Sequence, residues 1–214
     1  MKIGCIFECG KDGPDIQVCR YLVDKLNSVY NNLNLNIEFK SISIGNKTNK
    51  DILFENCGPA AKKMLEIDRC EKVIILWDLY PNHKEEKPCR RQDREKILDK
   101  LNAQGVDLNR VSLVCICQEF EAWLLADHRA VENMIAELKH PHSVGKIPKC
   151  KKPDSVNKPK TRLTKIFNQE LGKHRRYIDY QDAIKIAQNI TDFNKIKNSE
   201  SFRRFALKVT GITL

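Results

Sequence analysis

Three apolar runs in this chain each close on a carboxylate. Ile3-Gly4-Cys5-Ile6-Phe7 ends at Glu8, and Val73-Ile74-Ile75-Leu76-Trp77 ends at Asp78. Val111-Ser112-Leu113-Val114-Cys115-Ile116-Cys117 passes through Gln118 into Glu119 and Glu121. Runs of this length, largely continuous rather than alternating and rich in β-branched residues, mark strands covered on both faces, as in a parallel sheet. Segments of helical spacing separate them, so the order reads βαβαβαβ and then helices only. That order predicts an α/β fold, a mostly parallel sheet flanked by helices. Ligands of open parallel sheets bind outside the carboxyl ends of the strands. If the three strands are neighbours, their acids gather at that edge. Gathered carboxylates repel one another unless a proton or a cation compensates, and Mg²⁺, bound through oxygen, is the natural cation.

The remaining elements follow from period and punctuation. Ile16, Cys19, Leu22, Val23 and Leu26 keep a helical period after the Gly10–Pro14 turn. Leu35, Ile37 and Phe39 alternate with polar residues, which predicts a half-exposed strand over 35–44. The polar stretch 45–56 reads as irregular, with Pro59 opening a helix that continues through Ile67. A helix is expected over 90–101, and a helical region over 120–138 with a break near Asp127-His128. Residues 139–160, rich in Pro and Lys, read as an extended or mobile loop. Helices are expected near 160–171, 181–190 and 200–208. The division is therefore an α/β domain over 1–138 and a basic loop and helical extension over 139–214, packed on the same domain.

Charge follows that division. Residues 1–138 carry 20 Lys and Arg against 22 Asp and Glu, a net of −2, whereas residues 139–214 carry 18 against 6, a net of +12. An excess confined to the tail suggests a polyanionic partner, and the plain alternative is a solvated basic surface. Nine cysteines are an odd number for a disulfide framework, and none shows the C-x-x-C spacing of a zinc site. Reduced, largely buried thiols are expected. No apolar stretch reaches the roughly 20 residues that span a bilayer. Met1 leads straight into a strand rather than a signal peptide, so a cytoplasmic protein without a membrane partner is expected.

The candidate site residues are Glu8, Asp78, Glu119 and Glu121 as catalytic and metal-binding groups, with Asp127 as a further metal ligand. Glu119 and Glu121 share a direction if the strand extends through them. They diverge if a helix begins there, and then only one reaches the site. Asp127 lies about two helical turns beyond Glu119, or it caps the next helix. Asp12 and Asp15 read equally well as first-turn acids. His83 follows Asp78 in a loop and is a weaker candidate base. Trp123, within an apolar Trp-Leu-Leu run, reads as core rather than as a base-stacking platform.

Glu8 with its glycine turn, Asp78, and the segment Glu119-Phe120-Glu121-Ala122-Trp123-Leu124-Leu125-Ala126-Asp127 together resemble bacterial Toprim-like domains of unknown function. These are related to the nuclease domain of overcoming-lysogenisation-defect proteins. Lys158-Pro159-Lys160 and Ser201-Phe202-Arg203-Arg204-Phe205 fit the same resemblance. It implies a Toprim-type Rossmann-like sheet, a Mg²⁺- or Mn²⁺-dependent nuclease or phosphotransfer site, and an ATPase partner in antiphage defence. Glu8 matches the Toprim glutamate and Asp78 the first acid of its Asp-x-Asp motif. Tyr80 stands where the second Asp belongs, and a tyrosine does not replace a carboxylate as a Mg²⁺ ligand at neutral pH. Either Glu119 or Glu121 supplies the missing oxygen, or the site is inactive.

Three functions follow. The first is a metal-dependent nuclease in which Lys158, Lys160, Arg162, Lys165, Arg175 and Arg176 hold the phosphates of a nucleic acid. The second is a non-catalytic partner subunit. The third is a nucleic-acid binding module without catalysis.

Overall fold

The computed structural model describes residues 1–10, 12–30, 36–41, 50–79 and 90–214, without the side chains of Ser41 and Arg90. Four parallel strands, β1 (Lys2–Phe7), β2 (Asn36–Ser41), β3 (Lys72–Asp78) and β4 (Val111–Ile116), form one sheet in the order β2-β1-β3-β4. The chain therefore has the α/β fold that its apolar runs predict, with the three acid-ended strands side by side. Phe7 lies opposite Leu76, and Asp78 opposite Ile116, so the residues that follow β1, β3 and β4 leave the sheet at one level.

The period of two along each strand feeds two cores. Ile3, Cys5, Phe7, Ile74, Leu76, Val114 and Ile116 face α1 (Pro14–Val29) and the helices that follow β4: α4 (Glu121–Ala126), α5 (His128–Lys139), α6 (Pro159–Leu171), α7 (Asp179–Gln188) and α8 (Glu200–Thr210). Ile6, Val73, Ile75, Trp77 and Cys115 face α2 (Lys50–Glu66) and α3 (Arg90–Ala103). The basic C-terminal helices thus complete one face of the sheet. Trp123 is fully buried among Phe120, Phe202 and Phe205, with ring centroids 5.0–5.3 Å away. Its indole N–H donates to Ser201 Oγ at 2.8 Å, so it is a core residue.

Two expectations need correction. The helix read as opening at Pro59 begins at Lys50, with Pro59 inside it. Ile52, Leu53, Cys57, Ala60, Ala61, Met64 and Leu65 keep one buried stripe running through the proline, and their burial outweighs its helix-breaking tendency. Gly58 lets α2 come close to α3, since a Cβ there would stand 2.4 Å from the Lys100 carbonyl oxygen. The stretch 140–158 is irregular apart from one 3-10 turn at Pro153–Ser155, as its prolines predict, but it is pinned to the core. Ile147, Cys150 and Pro153 are buried. The Asp154 carboxylate accepts from Ser199 Oγ at 2.6 Å and from the Ser201 N–H at 2.8 Å.

Of the eight described cysteines, seven are buried. Tyr80, His83 and Cys89 lie outside the described residues. No described helix is long and apolar enough to cross a membrane.

Candidate functional site

Glu8 follows β1 and Asp78 ends β3, so the sheet register brings them to one level. Gly13 sits at the N-cap of α1 and Pro14 in its first turn, which places Asp15 there too. β4 gives way to α4 through Gln118, whose φ of 68° is a left-handed conformation that side chains other than glycine adopt at a cost. That turn settles the direction of the Glu119 and Glu121 pair. Glu121 becomes the first residue of α4 and is buried, whereas Glu119 lies before the helix, half-exposed. Glu119 Oε2 accepts the Lys160 backbone N–H, 2.9 Å away.

These carboxyl groups perturb one another. Burial raises Glu8 to about 7; Lys50 pulls it down, Asp93 pushes it up, and the Asp78 backbone N–H pulls it down. Burial likewise lifts half-buried Asp15 to about 7, reinforced by Glu8 and Asp179 and opposed by Lys160. Asp78 rises well above the usual carboxylate range, through burial first and then through Asp15, Glu8 and Glu121. Glu121 is pushed up to about 8 by burial and by Asp15. Glu8 Oε2 and Asp78 Oδ1 are shut off from solvent with no hydrogen-bond partner among the described residues, as is the Tyr177 hydroxyl. Tyr177 lies within electrostatic reach of Glu121, Asp179 and Asp15. Buried polar atoms are nearly always paired, so three orphans at one strand edge mark it as unusual.

Two cations flank the acids. Lys50 is 4% exposed at the start of α2; its ammonium donates to the Leu79 carbonyl at 2.8 Å and lies 3.6 Å from Asp93 Oδ2. Asp93 also accepts the Trp77 indole N–H at 3.2 Å. On the opposite side the Lys160 ammonium is bonded to Asp179 and within reach of Glu121 and Glu119.

The sequence candidates therefore divide. Glu8, Asp78 and Glu121 come together, with Glu119 at the rim. Asp127 does not join them: its Oδ1 accepts the Arg129 and Ala130 N–H groups, the N-cap of α5. Among the basic candidates, Lys158, Arg162 and Lys165 line a separate cleft. Lys160 turns to the acids. Arg175 holds buried Asp182 through two hydrogen bonds of 2.5 and 2.9 Å and lies over the Phe167 ring, a position that stabilises the fold. Arg176 is exposed, and its carbonyl accepts from Arg175. Lys50, Asp93 and Tyr177 escaped the sequence reading, and Asp15 entered it only as a first-turn acid. Asp15 alone had a local signal, a carboxylate just beyond the glycine turn.

Residues 28–210 match one family of proteins. The chain belongs to the family described as a domain of unknown function, DUF4276. Asp78, Glu121 and Lys160 fall inside the span shared with the family, whereas Glu8 and Asp15 precede it. No curated protein and no solved structure matches the chain.

The donors at this edge suit a hard divalent cation in kind, being carboxylate oxygens, two of them unpartnered. Among the described residues no three His, Cys, Asp or Glu side chains stand close enough to hold one ion between them. Mg²⁺ does not demand that, because it commonly keeps several waters and takes one or two carboxylates together with substrate phosphates. Glu8 and Asp78 fit such a site.

Proposed function

We propose that the chain is a divalent-cation-dependent enzyme of phosphodiester chemistry on nucleic acid, with Glu8 and Asp78 holding the cation. The observation that carries this reading is the pair of strand-end carboxylates with unpartnered buried oxygens, set among like charges. Bound there, Mg²⁺ or Mn²⁺ would polarise a phosphoryl oxygen and lower the pKa of a water. The chain's own residues supply the rest. Glu121, with a pKa near 8, keeps its proton at neutral pH and can give it to a leaving oxygen. The Tyr177 hydroxyl, lacking an acceptor in the fold, can donate to a phosphate oxygen. Lys160 brings positive charge to the same edge, and Lys50, paired with Asp93, favours the ionised form of Glu8.

A Toprim-like relationship belongs to the same proposal. The strand-end positions of Glu8 and Asp78 and the α4 segment beginning at Glu121 support it, and an ATPase partner in antiphage defence would accompany it. The second reading is a nucleic-acid binding or partner subunit without catalysis. What favours it is the lack of a ready three-ligand group among the described residues.

Cleavage of labelled single- and double-stranded DNA and RNA in Mg²⁺, Mn²⁺ or EDTA separates the two. The enzyme reading expects metal-dependent cutting that Glu8→Gln and Asp78→Asn each reduce about 100-fold or more. Folded wild-type protein that cuts nothing with either metal would favour the second reading.

A further inference from the structure

Beside the acid edge, α6 and the loop before it enclose an open cleft of about 660 Å³. Its charged lining is wholly cationic: Lys149, Lys151, Lys152, Lys158, Arg162 and Lys165. The carboxylate that this segment carries, Asp154, is turned inward onto Ser199 and Ser201, which leaves the wall without an acid. Among the described residues Lys149, Lys151, Lys152 and Lys165 enter no ion pair. Arg162 is steadied from below, its Nη1 lying 3.8 Å from the sulfur of buried Cys150.

We propose that this cleft is a track for the phosphate backbone of a nucleic-acid strand, held without regard to base sequence, that delivers the strand to the acid edge. The inference rests on the phosphodiester reading of that edge and adds where and how the polymer lies. α6 joins the two places. Lys158 at its N-cap and Arg162 in its first turn line the cleft, while between them Lys160 donates its backbone N–H to Glu119 and its ammonium to Asp179. The N-terminal end of α6 thus borders both the cleft and the acid edge. Among the described residues no aromatic ring lines the cleft to stack on a base, and contacts to phosphate alone carry no sequence information. An acidic protein partner fits less well. Stable protein interfaces centre on buried aromatic or aliphatic anchors, and this cleft offers only Val156 and Cys150 as apolar lining.

The test is binding of fluorescent 20-nucleotide DNA and RNA of several sequences, in EDTA, so that cleavage plays no part. The probes are run against wild type, a cleft variant (Lys151→Glu, Lys152→Glu, Lys165→Glu), and a control variant (Lys63→Glu, Lys208→Glu). All five lysines are exposed, so none of these reversals removes core packing. We expect wild type to bind all sequences within about threefold of one another, with a log–log salt slope of about −4 for six phosphate contacts on a single strand. The cleft variant should lose at least tenfold in affinity and about two units of slope, whereas the control stays within about threefold of wild type. The proposal is overturned if the cleft variant binds like wild type, if the control loses as much as the cleft variant, or if binding prefers one sequence strongly. It is also overturned if wild type binds polyglutamate but no nucleic acid. Binding as expected by a wild type that cuts nothing with metal upholds the track and removes only the enzyme reading.

Discussion

At the amino end of the sheet, charged groups find partners. The Lys2 ammonium lies 2.7 Å from Glu38 and donates to the Asp68 carbonyl at 2.5 Å. The Lys2 N–H donates to Glu71 at 3.0 Å, and Arg110 reaches the Cys70 and Glu71 carbonyls at 2.6 and 3.0 Å. At the carboxyl end of the same strands, burial first and neighbouring carboxylates second raise the pKa of Glu8, Asp15, Asp78 and Glu121, and two of their buried oxygens have no partner among the described residues. One sheet, with the same flanking layers, therefore treats charge in opposite ways at its two ends. The amino end is what this fold does when charge serves only stability. Like charges held together in low dielectric destabilise the folded state unless something binds there, and perturbed groups of this kind concentrate at functional sites.

The contrast can be broken most strongly at Asp78. Burial, and then Asp15, Glu8 and Glu121, hold the Asp78 carboxyl well above its usual range, so Asp78→Asn should stabilise the metal-free protein at pH 8 by roughly 1–3 kcal/mol. For a chain of this size that is a rise of about 2–10 °C in melting temperature. A Tm below wild type would break the comparison. Next comes the pH profile of wild type. These carboxyls have folded-state pKa values raised from about 4 to about 7 or 8, so the folded state binds more protons than the unfolded chain between those limits. Their contribution to stability is therefore lost as pH rises from about 5 to 8. Thermal melts in EDTA should show Tm falling by several degrees across that window, and adding Mn²⁺ at pH 8 should restore it. The smallest effect belongs to the amino end. Glu38→Gln should leave Tm indistinguishable from wild type at pH 7, because exposed ion pairs contribute little.

Much of this was legible in the residues, for a physical reason. A strand buried on both faces needs an uninterrupted apolar run, so β1, β3 and β4 and their terminal acids stand out in one dimension. The helices of the basic half keep a clear apolar period, and Asp127 carries its own capping signal. The start of α2 was hidden because Pro59 is a strong local stop, whereas the stripe that overrides it depends on a sheet face contributed by distant strands. The same oversight concealed Lys50, whose burial beside Asp93 follows from that helix start. Whether Glu121 or Glu119 points inward hung on one left-handed residue, Gln118, which no period announces. Tyr177 reaches the acids only through the packing of α6 and α7, with its ring 5.7 Å from Phe167.

The claim that a cation completes the carboxyl edge is tested most directly by calorimetric titration of Mn²⁺ into wild type, Glu8→Gln and Asp78→Asn at pH 7.5, in two buffers of different ionisation enthalpy. Wild type should bind Mn²⁺ and release protons as it does so, since the Glu8 carboxyl, raised to about 7, must lose its proton to ligate the ion. Each variant should lose binding at least tenfold. Binding that is absent in wild type, or present without proton release and unchanged in both variants, would contradict the account.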